Sequence, residues 1–540
     1  MKAIYAALAA AGAIGVIALG AAGLAAVQKE PAPPAQKSRY FQPGEVKTGG
    51  SVRIGWSVIP YDAVSGTIVV HPKGWDDAAP EDKEKGKDKP GADNPDAEAS
   101  MFYVAYFRKG TSAASRPVTF LFNGGPGSST VWLHMGAFGP KRVVTADDTH
   151  TPAAPYEVVS NNASLLDVSD LVFIDAPGTG FSRIAGKDKE KAFFGVDEDA
   201  HAFTQFIKQF LSKYGRWNSP KYLFGESYGT PRAAVVVNKL QNEEDTDFNG
   251  VIFLSQILNF DLSPDGPSFN PSVDLPYQLV LPTYAATAWY HNKLPGQKPA
   301  DLVTFVREVE RFAMSEYGLA LAAGNSLDAK RRAAIAAKLH RYTGLPVSYI
   351  LKANLRIEGG EFSKSLQDDA NMTTGRLDTR FSGPTIDPLS KSADYDPQSA
   401  AISSAYVSAF NDYVRTTLKY GEGMTYKSGI PVWRSWNFRH QPPGTHMSLQ
   451  MTTNVMPDLA TAMKVNPGLK VLVTGGYFDL ATPYYQGWYE MQHLPIPPAL
   501  MKNIEYEYYP SGHMVYAHGE SLEKIHDRVA DFIRRTDNVK

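Results

Sequence analysis

From about residue 100 to residue 260, short apolar runs typical of buried strands alternate with stretches whose apolar residues recur at helical spacing. Four short apolar runs predict buried parallel strands, at residues 118–122, 171–174, 222–224 and 251–254. Between the second and third runs, apolar residues recur every three or four positions from Ala202 to Tyr214, which predicts an amphipathic helix. Two β-rich runs come earlier, at residues 66–70 and 101–107. Alternating strands and helices predict a mostly parallel sheet with helices on both faces.

The alternation stops after about residue 259 and returns near the C-terminus. The intervening segment contains helical stretches at residues 302–323, 326–342 and 404–418. Strand-like runs and a helix then follow, at residues 470–473, 505–509 and 521–534. We therefore predict an α/β core in two parts, residues 51–260 and residues 441–540. A largely helical cap insertion, residues 261–440, lies between them. Such an insertion lies over the strand ends, where open α/β sheets bind ligands.

The N-terminal pattern differs from the rest of the chain. Lys2 is followed by an uncharged, Ala- and Gly-rich run that reaches residue 27 and contains the small-x-small triplet Gly23-Leu24-Ala25. This pattern predicts a secretory signal, or an uncleaved anchor, over residues 1–27. We predict an extended leader at residues 28–50 and a periplasmic or secreted protein, which meets a membrane only if the anchor is retained. The charged segment at residues 76–98 is typical of a solvated loop.

Composition narrows the chemistry. The chain has 540 residues, a formal net charge of -2 and no cysteine. The absence of cysteine excludes disulfides, thiolate metal sites and a cysteine nucleophile. The small net charge gives no reason to expect nucleic acid as a partner. We expect a protein without cofactor or metal, and whether it forms a homodimer stays open.

The segment from Gly225 to Gly229 holds the strongest chemical signal. It reads Gly-Glu-Ser-Tyr-Gly, a G-x-S-x-G motif directly after an apolar run. A strand that ends in this motif presents its serine, here Ser227, on a sharp turn above a sheet. Asp479 and His513 each follow a predicted late strand, and the order serine, aspartate, histidine is that of the α/β-hydrolase fold. We predict that His513 takes the proton of Ser227 and that Asp479 orients the imidazole.

The same mechanism needs two backbone N–H groups that stabilise a developing oxyanion. Tyr228, the residue after the serine, is expected to supply one of them. The turn Asn123-Gly124-Gly125-Pro126-Gly127 follows an early predicted strand and is expected to supply the other. Its glycines allow the backbone to approach a ligand closely.

Four segments together resemble the serine carboxypeptidases, at residues 123–129, 175–182, 225–229 and 513–515. The resemblance extends over residues 100–260 and 465–535, and it implies release of a peptide's C-terminal residue through an acyl-enzyme. It implies that Gly125 and Tyr228 donate to the oxyanion. The substrate-binding residues that it implies are Asn123, Gly124, Glu226 and Met514. The expected partners are therefore peptide substrates.

In that family, the residues that match Asn123 and Glu226 help to bind the substrate's C-terminal carboxylate. Two ionised carboxylates about 4 Å apart repel each other by roughly 4 kcal/mol at an effective dielectric constant near 20. Glu226 must therefore be protonated, or share a proton, when it binds this group. We predict peptide hydrolysis that is favoured at acidic pH.

Two departures from the family pattern indicate a divergent, bacterial-type member. A second carboxylate-binding glutamate of the family is replaced by Ala137, so that fewer groups hold the substrate's end. The motif around the serine continues as Thr230-Pro231-Arg232, which is not the usual continuation. Two other interpretations stay open: an esterase or acyltransferase on the same scaffold, since fold and triad do not fix the acyl acceptor, and a non-catalytic binding protein.

Overall fold

The computed structural model describes residues 39–76, 94–445 and 452–539. The strands in these ranges are β1 (Glu45–Ile54), β2 (Ser57–Val70), β3 (Glu98–Arg108), β4 (Val118–Phe122), β5 (Lys141–Val143), β6 (Val158–Ser160), β7 (Asp170–Ile174), β8 (Arg183–Ala185), β9 (Lys221–Glu226), β10 (Gly250–Leu254), β11 (Met372–Thr374), β12 (Ser382–Pro384), β13 (Lys470–Gly476) and β14 (Ile504–Tyr509). Within the described chain, one large sheet has the order β1-β2-β3-β7-β4-β9-β10-β13-β14, with β8 beside β3. The pairs β5-β6 and β11-β12 form two small sheets.

The centre of the large sheet is parallel. β4 pairs in parallel with β7 and β9, and β10 pairs in parallel with β9 and β13, which is followed by β14. Antiparallel pairs, β1-β2, β2-β3 and β3-β7, complete one side. The central strands are short, apolar and fully buried, as expected when helices cover both faces. This arrangement confirms the predicted α/β-hydrolase fold.

Helices cover both faces of the sheet. The helices in the described ranges are α1 (Lys189–Phe193), α2 (Val196–Lys213), α3 (Gly229–Asn242), α4 (Leu275–Tyr290), α5 (Leu302–Phe312), α6 (Gly318–Ala323), α7 (Ala329–Thr343), α8 (Val347–Lys352), α9 (Gly359–Ser365), α10 (Pro397–Thr416), α11 (Met456–Val465), α12 (Tyr484–Gln492), α13 (Pro498–Met501) and α14 (Gly519–Thr536). Successive strand residues point to opposite faces. Leu223 of β9 therefore lies in one apolar core with residues of α2 and α3, and Phe224 lies in a second core with residues of α14.

A largely helical insertion connects β10 to β13. It contains α4 to α10, and α4, α5 and α7 share an apolar core of their own. A turn of π-helix at Ala313–Tyr317 joins α5 to α6, so the stretch predicted as helix at residues 302–323 is continuous. α11 comes after the insertion and packs against α3 beside the sheet. The insertion thus has the character that the sequence predicts for a cap.

Two boundaries differ from those that the sequence predicts. β1 begins at Glu45, inside the segment at residues 28–50 that the sequence predicts as an extended leader. Polar residues and two glycines hide its strand character, and pairing with β2 along its whole length stabilises it. α10 begins at Pro397, before the predicted residue 404, because the Asp396 side chain caps its N-terminus and proline suits a first helical turn.

The segment at residues 1–27 lies outside the described residues, as does most of the charged segment at residues 76–98. The signal or anchor, and the location that follows from it, therefore stay predictions. Within the described ranges, no helix combines the length and the apolar character that a membrane crossing needs.

Candidate active site

The G-x-S-x-G motif forms a tight elbow between β9 and α3. Ser227 has a φ of 59° and therefore lies in the left-handed region. A Cβ atom on Gly225 would lie 2.1 Å from the backbone oxygen of Gly229, so this turn requires glycine. Backbone hydrogen bonds hold the serine: its N–H donates to Leu254 O at 3.0 Å, and its carbonyl accepts from Thr230 N at 2.8 Å. The elbow thus fixes Ser227 through its backbone and leaves its side chain at the edge of the sheet.

The turn after β4 lies directly against this elbow. A Cβ atom on Gly124 would lie 2.3 Å from the backbone nitrogen of Tyr228, so glycine is what lets the two segments approach. Gly125 follows with a φ of 105°, a conformation that favours glycine. Gly125 and Tyr228 line the same cavity as Ser227. The structure therefore brings together the two residues whose N–H groups the sequence predicts as oxyanion donors.

Strand order brings Asp479 and His513 to the same edge of the sheet. β9, β10, β13 and β14 are parallel neighbours, so their C-terminal ends lie side by side. Asp479 follows β13 and His513 follows β14. Ser255, which follows β10, donates from its hydroxyl to the His513 carbonyl at 2.7 Å. The loop that bears His513 is therefore held by the residue that follows β10, the strand next to the elbow strand β9.

Asp479 and His513 form a buried pair. His513 Nδ1 lies 2.8 Å from Asp479 Oδ2, and Asp479 is fully buried. The N–H groups of Ala481 and Thr482 donate to Asp479 Oδ1 at 2.9 and 3.0 Å, and the Thr482 hydroxyl donates to Oδ2 at 2.8 Å. Burial lowers the pKa of His513, but the charge and hydrogen bond of Asp479, together with the charge of Glu226, outweigh it, and the net pKa is raised. Because Nδ1 faces the carboxylate, Nε2 is the nitrogen that can exchange a proton with a nucleophile.

Glu226, which precedes the serine, is also buried. Its side chain is 3% exposed, and Oε2 accepts from the Tyr516 hydroxyl at 2.8 Å. Burial raises the pKa of Glu226 to about 7, and the His513 charge and hydrogen bonds from Tyr516 and Asn123 only partly oppose this. The carboxyl is therefore largely protonated below pH 7 and ionised above it.

A cavity of about 820 Å³ joins the predicted site residues. Eight of the nine line its wall, namely Asn123, Gly124, Gly125, Glu226, Ser227, Tyr228, His513 and Met514. The ninth, Asp479, lies behind His513. The cap contributes the opposite wall, and the volume suits a ligand of drug-like size, such as a short peptide. Among the described residues, no group of three or more histidine, aspartate or glutamate side chains is placed to hold a metal ion.

A cap segment that the sequence does not predict as part of the site lies between the loop that bears Asp479 and the loop that bears His513. We call residues 376–380 the clamp segment. On one side of it, the His513 N–H donates to Leu377 O at 2.6 Å, and on the other side the Leu480 N–H donates to Arg376 O at 3.0 Å. The clamp segment therefore connects the loop that bears the acid to the loop that bears the base.

Asp378 is the buried anchor of the clamp segment. It is fully buried, forms an ion pair with Arg380 at 2.6 Å, and accepts from the Gly512 N–H at 3.1 Å. The ion pair compensates the charge that Asp378 brings into the interior. The triplet Asp378-Thr379-Arg380 has no motif or apolar period, so the sequence gives no signal for its contact with the His513 loop.

Arg232 supports the elbow from behind. Its side chain is fully buried, with Nε 2.6 Å from Asp199 Oδ2, and Nη1 donates to the carbonyl oxygen of Asn123 at 2.6 Å. The guanidinium also lies 4.4 Å from the ring centroid of Phe203. Arg232 thus links α2, α3 and the turn after β4. The sequence marks Arg232 only as a departure from the family pattern, and the fold supplies the reason for a charged residue there.

Comparisons with known proteins point to one family. Residues 92–260 match the family model Peptidase_S10, which is described as serine carboxypeptidase. The pheromone-processing carboxypeptidase KEX1 of Yarrowia lipolytica is 31% identical over 140 residues, which are 25% of this chain and 21% of that protein. A carboxypeptidase Y homolog of Arthroderma benhamiae is 28% identical over 161 residues, 30% of each chain. The chain thus matches less than a third of the length of these relatives.

The solved structure of KEX1(Δ)p, a prohormone-processing carboxypeptidase from Saccharomyces cerevisiae, has a similar fold. The similarity covers 89% of this chain and 93% of that chain, with a TM-score of 0.50 and 14% sequence identity. At this identity the likeness concerns the fold. It extends beyond the matched sequence segment into the cap and the C-terminal part of the core.

Proposed function

We propose that this chain is a serine carboxypeptidase that releases the C-terminal residue of peptides through an acyl-enzyme on Ser227. The observation that carries the proposal is the position of Glu226, a buried carboxyl with a pKa of about 7, in the wall of the cavity that contains Ser227. A triad alone supports the hydrolysis of many esters and amides. A protonated carboxyl beside the nucleophile favours substrates that end in a carboxylate.

In the proposed reaction, Ser227 Oγ attacks the carbonyl carbon of the last peptide bond while its proton passes to His513 Nε2. The developing oxyanion accepts hydrogen bonds from the N–H groups of Gly125 and Tyr228. The imidazolium, which Asp479 stabilises, then protonates the leaving amine as the C–N bond breaks. Water repeats the sequence on the acyl-enzyme and releases the shortened peptide.

The substrate's end is bound by Asn123 and Glu226, with Gly124 and Met514 in contact with the rest of the residue. Asn123 Oδ1 accepts from the Leu133 N–H at 3.1 Å, so the amide NH₂ is the part of this side chain that can donate to an anion. Protonated Glu226 supplies a second donor. Both groups can therefore donate a hydrogen bond to a carboxylate. The same hydrogen bonds to a C-terminal amide would be weaker, because the amide carries no charge.

A matched pair of peptides tests this assignment. We expect a peptide with a free C-terminal carboxylate to be hydrolysed roughly 10- to 100-fold faster, in kcat/KM, than its C-terminal amide, because hydrogen bonds to a charged group are among the strong ones. The measurement is product release followed by mass spectrometry. Equal rates on the two peptides would reject carboxypeptidase activity, and rapid cleavage of an aryl ester with neither peptide cleaved would indicate the esterase.

The pH profile supplies a second test. Above pH 7, Glu226 ionises and repels the substrate's carboxylate, so kcat/KM for a free-acid peptide is expected to fall about tenfold per pH unit. At low pH, protonation of His513 removes the base, which gives the opposite limb. Glu226→Gln keeps a neutral side chain at every pH, and we expect it to remove most of the alkaline fall.

Glu490→Gln is the matched control for this profile. Glu490 is also fully buried, and burial raises its pKa to about 7, but it does not line the cavity. We expect this variant to keep the alkaline fall of the native protein. An unchanged profile in Glu226→Gln, or the same change in both variants, would refute the role of Glu226.

A further inference from the structure

The cap wall of the cavity contains a buried amide that has no partner in the described protein. Gln398 lies in the first turn of α10, is fully buried and lines the cavity. Neither its Oε1 nor its Nε2 makes a hydrogen bond to any described residue. A buried polar group without a protein partner is unfavourable, and such groups in native structures are normally satisfied by a bound water, ion or ligand. The position of Gln398 in the cavity wall therefore points to a polar ligand.

Arg376, a cation of the cap, is linked to the N-terminus of the same helix. Asp396 connects the two: its Oδ1 accepts from the Arg376 N–H at 2.7 Å, and its Oδ2 accepts from the Ser399 N–H at 2.9 Å as the N-cap of α10. Arg376 and Gln398 both line the cavity. Asp396 thus ties the backbone of Arg376 to the first turn of α10, which carries Gln398, and both side chains belong to the wall of the same cavity.

The guanidinium of Arg376 can accept a second anionic partner. Its Nε lies 3.2 Å from Asp265 Oδ1, and its Nη2 contacts Oδ2 of the same residue, while Nη1 has no partner among the described residues. The Arg376 and Asp265 side chains are 44% and 51% exposed, and an ion pair at that exposure contributes little. A substrate carboxylate can therefore add to this pair or displace Asp265, since arginine binds carboxylates through two parallel hydrogen bonds.

This group also lies close to the reacting centre. Arg376 directly precedes Leu377, whose carbonyl accepts from the His513 N–H at 2.6 Å. The anionic and titratable groups that face this part of the cavity are Asp265 from the loop after β10, Asp396 from the N-terminus of α10, Glu226 from β9, and the Asp479–His513 pair. Among the described residues that line this cavity, Arg376 is the one lysine or arginine.

We propose that Arg376 and Gln398 form a second carboxylate-binding subsite, separate from Asn123 and Glu226. This inference rests on the proposed peptide hydrolysis and names a substrate class for it. The carboxylate comes either from an acidic side chain next to the scissile bond or from the substrate's C-terminus, which Ala137 leaves with one partner fewer than in the family. Arg376 supplies the charge, and the Gln398 amide donates to the same anion.

Three peptides of one parent sequence separate the two sources. The first has glutamate beside the scissile bond, the second has glutamine at that position, and the third is the glutamine peptide with a C-terminal amide. Each is measured as kcat/KM on the native protein, on Arg376→Gln and on Gln398→Leu. Arg53→Gln is the control, since Arg53 is an exposed residue of β1 that does not line the cavity. Thermal unfolding checks that the variants remain folded.

If the subsite binds an acidic side chain, the native protein prefers the glutamate to the glutamine peptide by about tenfold or more, and Arg376→Gln reduces this ratio towards one. If it binds the C-terminus, Arg376→Gln instead reduces the ratio between free acid and amide. Gln398→Leu is expected to reduce the same ratio by a smaller factor, and Arg53→Gln to leave both ratios as in the native protein.

If neither ratio changes in Arg376→Gln, the proposed subsite is wrong. A uniform loss of rate on all three peptides also refutes it, because such a loss reflects an effect on His513 or on folding. Hydrolysis of the glutamine peptide by the native protein separates failure of the subsite from failure of the proposed function. If only the subsite is wrong, the native protein still hydrolyses that peptide. Absence of hydrolysis of all three peptides by the native protein rejects the proposed function itself.

Discussion

Ser227→Ala is expected to lower kcat for a free-acid peptide by roughly 10⁴- to 10⁶-fold, because no acyl-enzyme forms without the hydroxyl. The fold is expected to remain. The elbow is held by backbone hydrogen bonds to Leu254 and from Thr230, and alanine at a φ of 59° is as strained as serine. Peptide binding to this variant, measured by calorimetry, should therefore persist while steady-state turnover is lost.

A serine-directed phosphonate provides the second measurement for this variant. Ser403 of α10 lines the same cavity, so Ser403→Ala is a matched control. We expect the reagent to add its mass to the native protein and to Ser403→Ala, and to leave Ser227→Ala unmodified. Labelling or turnover that survives in Ser227→Ala would contradict the assignment of Ser227. A native protein that resists the reagent would favour the non-catalytic binding protein.

Asp479→Asn is expected to lower kcat by roughly 10⁴-fold, because the hydrogen bonds around this residue force the wrong imidazole tautomer. The N–H groups of Ala481 and Thr482 both donate to Oδ1, so an asparagine must place its oxygen there. Its NH₂ group then replaces Oδ2 and donates to His513 Nδ1. The imidazole must accept at Nδ1 and carry its proton on Nε2, where it cannot take the proton of Ser227.

Thr482→Val is the control that separates the effect of the wrong imidazole tautomer from the effect of altered packing around Asp479. The Thr482 hydroxyl donates to the same carboxylate oxygen at 2.8 Å and also lies 3.1 Å from His513 Nδ1, but its loss leaves the charge of Asp479 and the Asp479–His513 hydrogen bond in place. We expect a loss of roughly tenfold or less, the size of one hydrogen bond. Similar losses in the two variants would mean that the orientation of His513 does not depend on the charge of Asp479. Kinetics and thermal unfolding are measured for both.

The parts of the candidate site that the sequence predicts are those encoded by short, local patterns. Ser227 lies in a five-residue motif whose glycines the elbow requires, because a Cβ atom on Gly225 would lie 2.1 Å from a backbone oxygen and one on Gly229 would lie 2.8 Å from another. Asp479 and His513 each follow a strand that the sequence predicts, and parallel strands place their C-terminal loops at one edge. Chain order alone is enough to bring these three residues together.

The residues that the sequence does not predict act through contacts between distant segments. Asp378 contacts the Gly512 backbone across 134 positions of the chain, and no local pattern encodes that pairing. Arg232 is separated from Asn123 by 109 positions, and a buried arginine looks like any surface arginine in the sequence. Gln398 belongs to the same class, because the unpaired state of its amide is a property of the cavity. Such residues require the fold.

The strand boundary at Glu45 shows a further limit. β1 is ten residues long, but most of its side chains are exposed, so it lacks the alternation that identifies a half-buried strand. Its stability comes from pairing with β2, and the register from Glu45 to Ile54 is fixed by that partner. An edge strand of this type is recognised from its neighbour and not from its own residues.

The clamp segment determines how far the cap can vary independently of the core. Because residues 376–380 exchange backbone hydrogen bonds with the loops that bear Asp479 and His513, the insertion is a structural part of the reaction centre as well as a cover. A cap transplanted from a relative would have to reproduce these backbone partners before any difference in its cavity wall could be expressed as a new substrate preference. Diversification of such a chain is therefore expected at cavity-facing side chains such as Arg376, with the clamp backbone retained.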